Sequence, residues 1–458
     1  MDCKQKFFAS YANISKALVL LFAFTLAGCG DAQTPEVTFQ PKSKLATAGE
    51  ETTLTVSASV ADGGALTYQW YQNSVESSVN GTLLEDSNTP IYRFTPSADK
   101  PYYYVVIINT NNDATGNKTA SVTSSVAKIT VVNESVSTLS FYDDNLDLVD
   151  EVTVVSGTVV NIAAISGTWY EADGKTPVTS HTANADAGFY TAADVRGIRD
   201  QNGLELVRKN LSGRYALLND ITLTTGNSEG WLPIGDATEG FSGKFNGNGH
   251  VIKGLWVDRP TADYVGLFGH INKGSVINLK VEIDDAHNGI QGKDYVGSIA
   301  GATQRGTITA VDVRGGIKGN SYVGGITGKV NIGTITATAS KTDIVATGNY
   351  VGSITGYINL GTITASYTRG DVSSPNGDYV GGIAGYSEIS TITATYSYGK
   401  VDGNNYVGGI AGYLQLGTIV ASYLHGSVTG HSDVNAIAGK NALGIILASF
   451  ADGGVTQK

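Results

Sequence analysis

The chain has 458 residues, of which 41% are hydrophobic and 16% are charged, so it is long enough to build several hydrophobic cores. Its formal net charge of −11 argues against nucleic-acid binding, because a polyanion needs a basic patch to meet it. The 58 glycines and the single methionine are typical of turn-rich β structure.

Residues 1–28 are predicted to be a lipoprotein signal peptide. Two lysines precede an apolar run from Ala17 to Leu26, which at about ten residues is too short to span a bilayer as a mature helix. The run ends in Leu-Ala-Gly-Cys, which resembles the lipobox of bacterial lipoproteins. This resemblance implies cleavage before Cys29 and attachment of a lipid to its sulfur. An ordinary secretory signal followed by a chance cysteine is the alternative.

The predicted cleavage would remove Cys3 and leave Cys29 as the one cysteine of the mature chain, which excludes disulfides and Cys-ligated metal sites. Gly30 follows it. In lipoproteins of double-membraned bacteria an Asp at that position commonly marks inner-membrane retention, so the resemblance implies an outer-membrane protein, either periplasmic or exposed at the cell surface. Residues 29–36 are predicted to be a linker.

Residues 37–133 resemble a bacterial immunoglobulin-like β-sandwich. Apolar residues alternate with period two, and turns rich in Asn, Asp and Gly separate the predicted strands. The resemblance makes Trp70 the core tryptophan of the third strand and Tyr103 the corner tyrosine. The two sandwich cysteines are absent, with Val56 and Val105 near their positions, so packing alone would hold this core.

A small β module is predicted for residues 134–190, and a helix for residues 191–210. The Phe-Tyr-Asp-Asp-Asn sequence at 141–145 and Trp169 resemble small β modules of bacterial surface proteins. Thr191 and Asp194 are placed as helix caps, while Val195 and Ile198 share a helical face. This helix would cover the open end of the structure that follows it.

Residues 211–458 contain seven copies of a sequence repeat. Each copy consists of Tyr-Val-Gly-Gly-Ile-Ala-Gly or a close variant, a spacer and Gly-Thr-Ile-Thr-Ala or a close variant. Its β-branched residues come in short runs broken by glycine, which predicts about three short strands per copy. Such units bury their apolar faces only by stacking, so the repeat predicts a right-handed parallel β-helix, or β-solenoid. The copies begin at Tyr264, Tyr295, Tyr322, Tyr350, Tyr379 and Tyr406, and a degenerate one begins at Asp433.

Motifs at 214–221, 231–235, 241–250 and 252–255 lead into this repeat. Together with it they resemble the GLUG-motif β-solenoids of bacterial surface and secreted proteins. Members of this family occur in adhesin-like proteins and beside the catalytic domains of immunoglobulin A-specific metallopeptidases. The chain has no His-Glu-x-x-His sequence, so the peptidase activity is not implied here.

Charged residues recur at the same place in successive copies, and they alternate in sign. They are either a solvated face that keeps the solenoid soluble or a groove for binding or catalysis. No catalytic residue is assigned. The candidate ligand-contact face consists of Arg314, Arg369, Asp371, Lys400 and Asp402.

The sequence predicts no cofactor and no metal site. The six histidines show no metal-ligand spacing, and no acidic repeat supports calcium at Asp284 and Asp285. The repeated tyrosines have two interpretations: a stacked corner that holds the solenoid together, or an exposed aromatic strip for a glycan or protein. Strand alternation alone does not decide which way the rings point.

The sequence therefore predicts an all-β, lipid-anchored cell-envelope protein that acts as a binding or adhesion module. Its solenoid would contact an extracellular glycan or a surface protein, and nucleic acid is not a partner. The alternative is a glycan-active β-helix enzyme, a polysaccharide lyase or glycosidase.

Overall fold

The computed structural model describes residues 31–458 except 61–63, 85–86, 97–99, 112–113, 115, 144–147, 175, 192–193 and 225–226. The predicted signal peptide and Cys29 lie outside the described residues. Strands make up 52% of the structure and helices 4%, which confirms the all-β prediction.

The N-terminal part forms sheets that face one another across a core. The strand Lys44–Thr47 pairs in parallel with Ala127–Val132, whereas the other pairings here are antiparallel. The strands are Glu36–Phe39, Lys44–Thr47, Thr52–Thr55, Ser57–Ser59, Ala65–Asn73, Thr82–Leu83, Ile91–Phe94, Tyr102–Thr110, Thr119–Thr123 and Ala127–Val132.

Trp70 and Tyr103 lie in the core between these sheets. Both are almost fully buried, together with Val56 and Val105 from the facing sheets. The Trp70 indole donates a hydrogen bond to the carbonyl of Thr89 over 2.8 Å. Aromatic and aliphatic side chains therefore fill this core.

The predicted linker 29–36 packs onto the sandwich where it is described. Ala32 is buried, and its amide donates to the carbonyl of Asn117 over 2.8 Å. The strand Glu36–Phe39 also begins inside the predicted linker range. This segment thus belongs to the fold of the sandwich.

A small β module follows, with Phe141, Trp169 and Phe189 in its core. Phe141 stacks on Phe189 with ring centroids 5.1 Å apart and meets Trp169 edge to face at 4.9 Å. A 3-10 turn spans Ile162–Ala164. The strands are Val136–Tyr142, Leu148–Val155, Val159–Val160, Tyr170–Glu171, His181–Thr182 and Ala187–Tyr190.

The prediction of a helix from Thr191 was wrong in its position. Val195–Ile198 is a strand that pairs in parallel with Arg214–Leu217, and Asp194 forms an ion pair of 2.7 Å with Arg214. Pairing with the next coil overrides the weak helical pattern of these residues. The solenoid consequently begins at Val195, before the predicted residue 211.

The helix, α1, spans Gln201–Glu205 and continues as a 3-10 turn over Leu206–Lys209. Asp200 caps it, because its carboxylate accepts a hydrogen bond from the amide of Gly203 over 2.8 Å. Leu204 and Val207 are fully buried in the solenoid core. The helix therefore lies at the end of the solenoid that the sequence predicts it to cover, although it is shorter than predicted.

Stacked parallel coils form the solenoid, with about 9 turns in total. One sheet runs along its whole length, and two shorter sheets close the coil. A 3-10 turn spans Asp285–His287. The strands of the long sheet are Val195–Ile198, Arg214–Leu217, Ile221–Thr222, Lys244–Asn246, Val251–Leu255, Val257–Asp258, Ser275–Ile283, Ile290–Gln291, Thr307–Gly319, Thr334–Thr336, Ala339–Ala346, Thr362–Thr364, Tyr367–Thr368, Val372–Ser373, Thr391–Thr393, Tyr396–Ser397, Val401–Asp402, Thr418–Val420, Tyr423–Leu424, Val428–Gly430, Ile445–Leu447, Phe450–Ala451 and Val455–Gln457.

The two shorter sheets carry the glycine-rich part of the repeat. The first contains Phe268–Asn272, Ala300–Gln304, Thr327–Asn331, Thr355–Asn359, Ala384–Glu388, Ala411–Leu414 and Ala438–Asn441. The second contains Val323–Gly324, Val351–Gly352, Val380–Gly381, Asn405–Gly408 and Ser432–Asn435.

Equivalent apolar residues of successive coils stack on one another inside the solenoid. Ile335 pairs in register with Ile363, and Ile363 with Ile392. All three are fully buried, as are the isoleucines Ile326 and Ile383 of the first motif. Each coil thus buries its apolar face against its neighbours, as the repeat pattern predicts.

Candidate functional site

The repeated tyrosines form a ladder on the outside of the solenoid. Each has a left-handed backbone, for example φ of 56° at Tyr322, and the amides of the first five donate to a carbonyl of the next coil. Neighbouring rings stack with centroids 4.7 to 5.0 Å apart. The ladder consists of Tyr264, Tyr295, Tyr322, Tyr350, Tyr379 and Tyr406.

A second, shorter row lies beside this ladder. Tyr357, Tyr386 and Tyr413 stack at 5.4 and 5.0 Å, and they meet rings of the first ladder edge to face. Lys329 pairs in register with Tyr357 and so extends this row by one coil. Its ammonium lies 5.6 Å from the centre of the Tyr322 ring. The hydroxyl of Tyr357 donates to Glu388.

The rings inside each row have both faces covered by their neighbours, and all the rings are half-buried. Burial raises the pKa of Tyr322 and Tyr350, and it raises that of Tyr386 to about 12. These three phenols are therefore neutral at ordinary pH. The predicted stacked corner is what the structure shows, and its outer rim offers hydroxyl groups instead of open ring faces.

The candidate charged residues lie on another side of the solenoid. Arg314 pairs with Glu282 over 2.7 Å, and Asp402 pairs with Lys458 over 2.7 Å. Arg369 lies over the rings of two tyrosines, 5.7 Å from that of Tyr367.

Asp371 forms hydrogen bonds with both neighbouring coils. Its carboxylate accepts a hydrogen bond from the backbone amide of Lys400 over 2.8 Å, and Asp343 accepts one from the amide of Asp371 over 3.0 Å. These carboxylates join consecutive coils at a turn. Lys400 itself has an exposed side chain.

The strand register brings two of the candidates into one column. Arg314 pairs in register with Lys341 of the next coil. Ser340 pairs with Thr368 of the coil after that. Arg369 follows Thr368 in the chain and therefore lies in line with Lys341. Asp371, Lys400 and Asp402 belong to the adjacent turn instead. The column continues through Tyr398 and His425.

A row of tyrosines that the sequence argument missed runs beside this column. Tyr367, Tyr396 and Tyr423 are partners in register, and each is partly exposed. Their signal was present in the Ala-Ser-Tyr or Ala-Thr-Tyr that follows Thr-Ile-Thr or Thr-Ile-Val in three successive copies. We name the two columns together the basic–aromatic strip, which comprises Arg314, Lys341, Arg369, Tyr398, His425, Tyr367, Tyr396 and Tyr423.

The residues that the structure describes contain no group of three His, Cys, Asp or Glu side chains that could hold a metal ion. They also contain no helix with the length and apolar character that crossing a bilayer requires.

Comparisons with known proteins give partial similarities. No protein-family model matches the chain. A stretch of 87 residues is 41% identical to a protein of Evansella cellulosilytica described as a candidate Gly-rich membrane protein, and it covers 18% of this chain and 10% of that protein. A stretch of 168 residues is 31% identical to halomucin of Haloquadratum walsbyi, and it covers 35% of this chain and 2% of halomucin. The chain therefore spans only a small part of each relative.

Proposed function

We propose that the protein is a cell-envelope lipoprotein whose solenoid binds an extracellular glycan or surface protein. The observation that carries this proposal is the basic–aromatic strip, in which cations and tyrosines repeat coil after coil on an exposed face. A linear or repetitive partner would meet the same contacts several times, so that weak individual contacts add up.

The two similarities are compatible with this proposal. One relative is described as a membrane protein, and a name containing mucin suits an envelope setting. We further propose that Cys29 carries the lipid, in the outer membrane, and that the solenoid is of the GLUG type. The sandwich, taken as immunoglobulin-like from Trp70 and Tyr103, and the small β module would then form the stalk.

The first prediction tests the contact face. Replacing Arg314, Arg369 and Lys400 together by Gln should weaken retention on an array of glycans and surface proteins. The single replacements should do little, because an exposed charge contributes only about 0 to 1 kcal/mol. The melting temperature should stay the same, because all three side chains are exposed.

A matched control replaces Lys209, Lys273 and Lys318 by Gln, which removes the same charge from exposed positions outside both the strip and the adjacent turn that carries Lys400. Equal retention of the two triple variants would refute the contact face. Glycan cleavage that Asp371→Asn abolishes would instead favour the glycan-active enzyme, since loss of one catalytic carboxylate removes most of a rate.

A further inference from the structure

A cleft lies between the N-terminal sandwich and the flank of the solenoid. It has a volume of about 620 Å³, within the range of small-molecule sites. Tyr92 and Arg93 line it from the sandwich, while Lys280, Lys341 and Tyr367 line it from the solenoid. The basic–aromatic strip begins at its mouth, because Arg314, Lys341 and Tyr367 belong to both.

The charges in the cleft do not cancel. Four cations face three carboxylates, and three of the cations have a carboxylate partner. Lys280 lies 3.7 Å from Glu51, Lys341 lies 2.9 Å from Asp312, and Arg314 lies 2.7 Å from Glu282. The fourth cation is Arg93.

Arg93 has no ion-pair partner among the residues that the structure describes. Its one hydrogen bond is a long one, from Nη1 to the hydroxyl of Thr53 over 3.4 Å. Burial lowers its pKa, and the more distant charges of Glu51 and Asp312 only partly offset this effect. Most of its N–H donors have no partner among these residues and open into the cleft, where an anion would accept hydrogen bonds from them.

We propose that this cleft binds a carboxylate-bearing sugar of an acidic polysaccharide, with the carboxylate paired to Arg93. The planar guanidinium fits a carboxylate through two parallel hydrogen bonds. Two tyrosines and several paired charges provide the mixed polar and aromatic lining that a sugar ring requires, which a bare anion would not use. The neighbouring sugars would extend along the basic–aromatic strip.

This inference rests on the proposed function in one respect, namely that the ligand is a glycan. It goes further in naming the ligand as acidic and in assigning a role to the sandwich. In the predicted arrangement the sandwich is only a stalk, whereas here it supplies Arg93 to the site.

The second prediction is therefore about Arg93. Titration of the full-length protein with oligogalacturonate should give an affinity that Arg93→Gln lowers by about 10- to 100-fold, the value of one hydrogen-bonded charge pair. Lys280→Gln should also weaken binding, because it leaves the Glu51 carboxylate unpaired and facing the ligand. Lys318→Gln, an exposed cation outside the cleft, is the control and should bind normally.

The fully methyl-esterified oligosaccharide is the matched neutral probe and should bind weakly. Equal binding of the two probes, or normal binding by Arg93→Gln with an unchanged melting temperature, would overturn the acidic-sugar site. If Arg93→Gln does not fold, Lys280→Gln decides, and normal binding by it would likewise overturn the site. Either result leaves the array experiment on the strip unaffected, so the two proposals can fail separately.

Discussion

The tyrosine ladder places bulky residues in a backbone conformation that favours glycine. At Tyr322 the φ of 56° costs roughly 1–2 kcal/mol for an L-residue. The ring stacks on Tyr295 and Tyr350, and aromatic pairs are worth about 0.5–1.5 kcal/mol each beyond the area they bury. Stacking therefore offsets the backbone strain, and this balance explains why tyrosine recurs at a position suited to glycine.

The third prediction separates these two effects. Tyr322→Ala should lower the free energy of unfolding by about 1–3 kcal/mol through lost stacking, whereas Tyr322→Gly should be less harmful than Ala by about 1 kcal/mol, since glycine tolerates the positive φ. Denaturant titration of both variants measures the difference.

Tyr386 is the control for this experiment, because it stacks similarly but lies within the ordinary strand Ala384–Glu388. Tyr386→Gly should lower the free energy of unfolding by about 0.5–1 kcal/mol more than Tyr386→Ala does, which is the reverse of the order at Tyr322. If Ala and Gly rank alike at both positions, backbone strain does not shape the ladder.

At the scale of the coil, the first motif contains one fully buried isoleucine in the five copies that begin at Tyr295, Tyr322, Tyr350, Tyr379 and Tyr406. Ile383 packs in the continuous core, whereas Ile389, six residues later, lies at a coil corner and is 47% exposed. Both isoleucines stand beside a small residue, with Gly382 before Ile383 and Ser390 after Ile389. Their burial follows from the corner geometry, which leaves Ile389 with φ of 45°.

The fourth prediction compares Asp at these two sites. Ile383→Asp should lower the free energy of unfolding by several kcal/mol, because it buries a carboxylate without a partner. Ile389→Asp should change it by about 0.5 kcal/mol or less, since the site is exposed and Asp tolerates a left-handed backbone. Thermal unfolding of the two variants would contradict this account of the coil if their melting temperatures were equal.

At the scale of the whole molecule, the repeat predicted the solenoid but not its extent. Seven copies were readable, whereas the structure has about 9 turns. The early coils lack the Tyr-Val-Gly motif. Arg214–Leu217 was assigned to the solenoid through the motifs that lead into the repeat, whereas Val195–Ile198 was predicted as part of a helix. Their pairing depends on backbone hydrogen bonds between coils, which leave little mark on side-chain identity.

The candidate site was predictable only in part, because the sequence does not show which recurring residues lie in one column. Recurrence in the sequence identified Arg314 and Arg369, but the coil corner decides whether two recurring residues share a column. It separates Asp371 and Lys400 from Arg369. The role of Arg93 was not predictable at all, because it depends on the sandwich meeting the solenoid, far apart in the chain.

The fifth prediction concerns how the whole protein reaches its place of action. Cys29→Ser should move the protein from the membrane fraction to the soluble fraction, because the lipid on Cys29 is the anchor that the sequence predicts and a hydroxyl cannot take its place in thioether formation. Cell fractionation followed by a salt wash measures this change. Ser10→Cys, which adds a thiol within the signal and leaves Cys29 in place, is the control and should stay membrane-bound. A Cys29→Ser protein that remains with the outer membrane after the wash would show that another contact holds it there, and the solenoid or the sandwich would then have to supply the anchor.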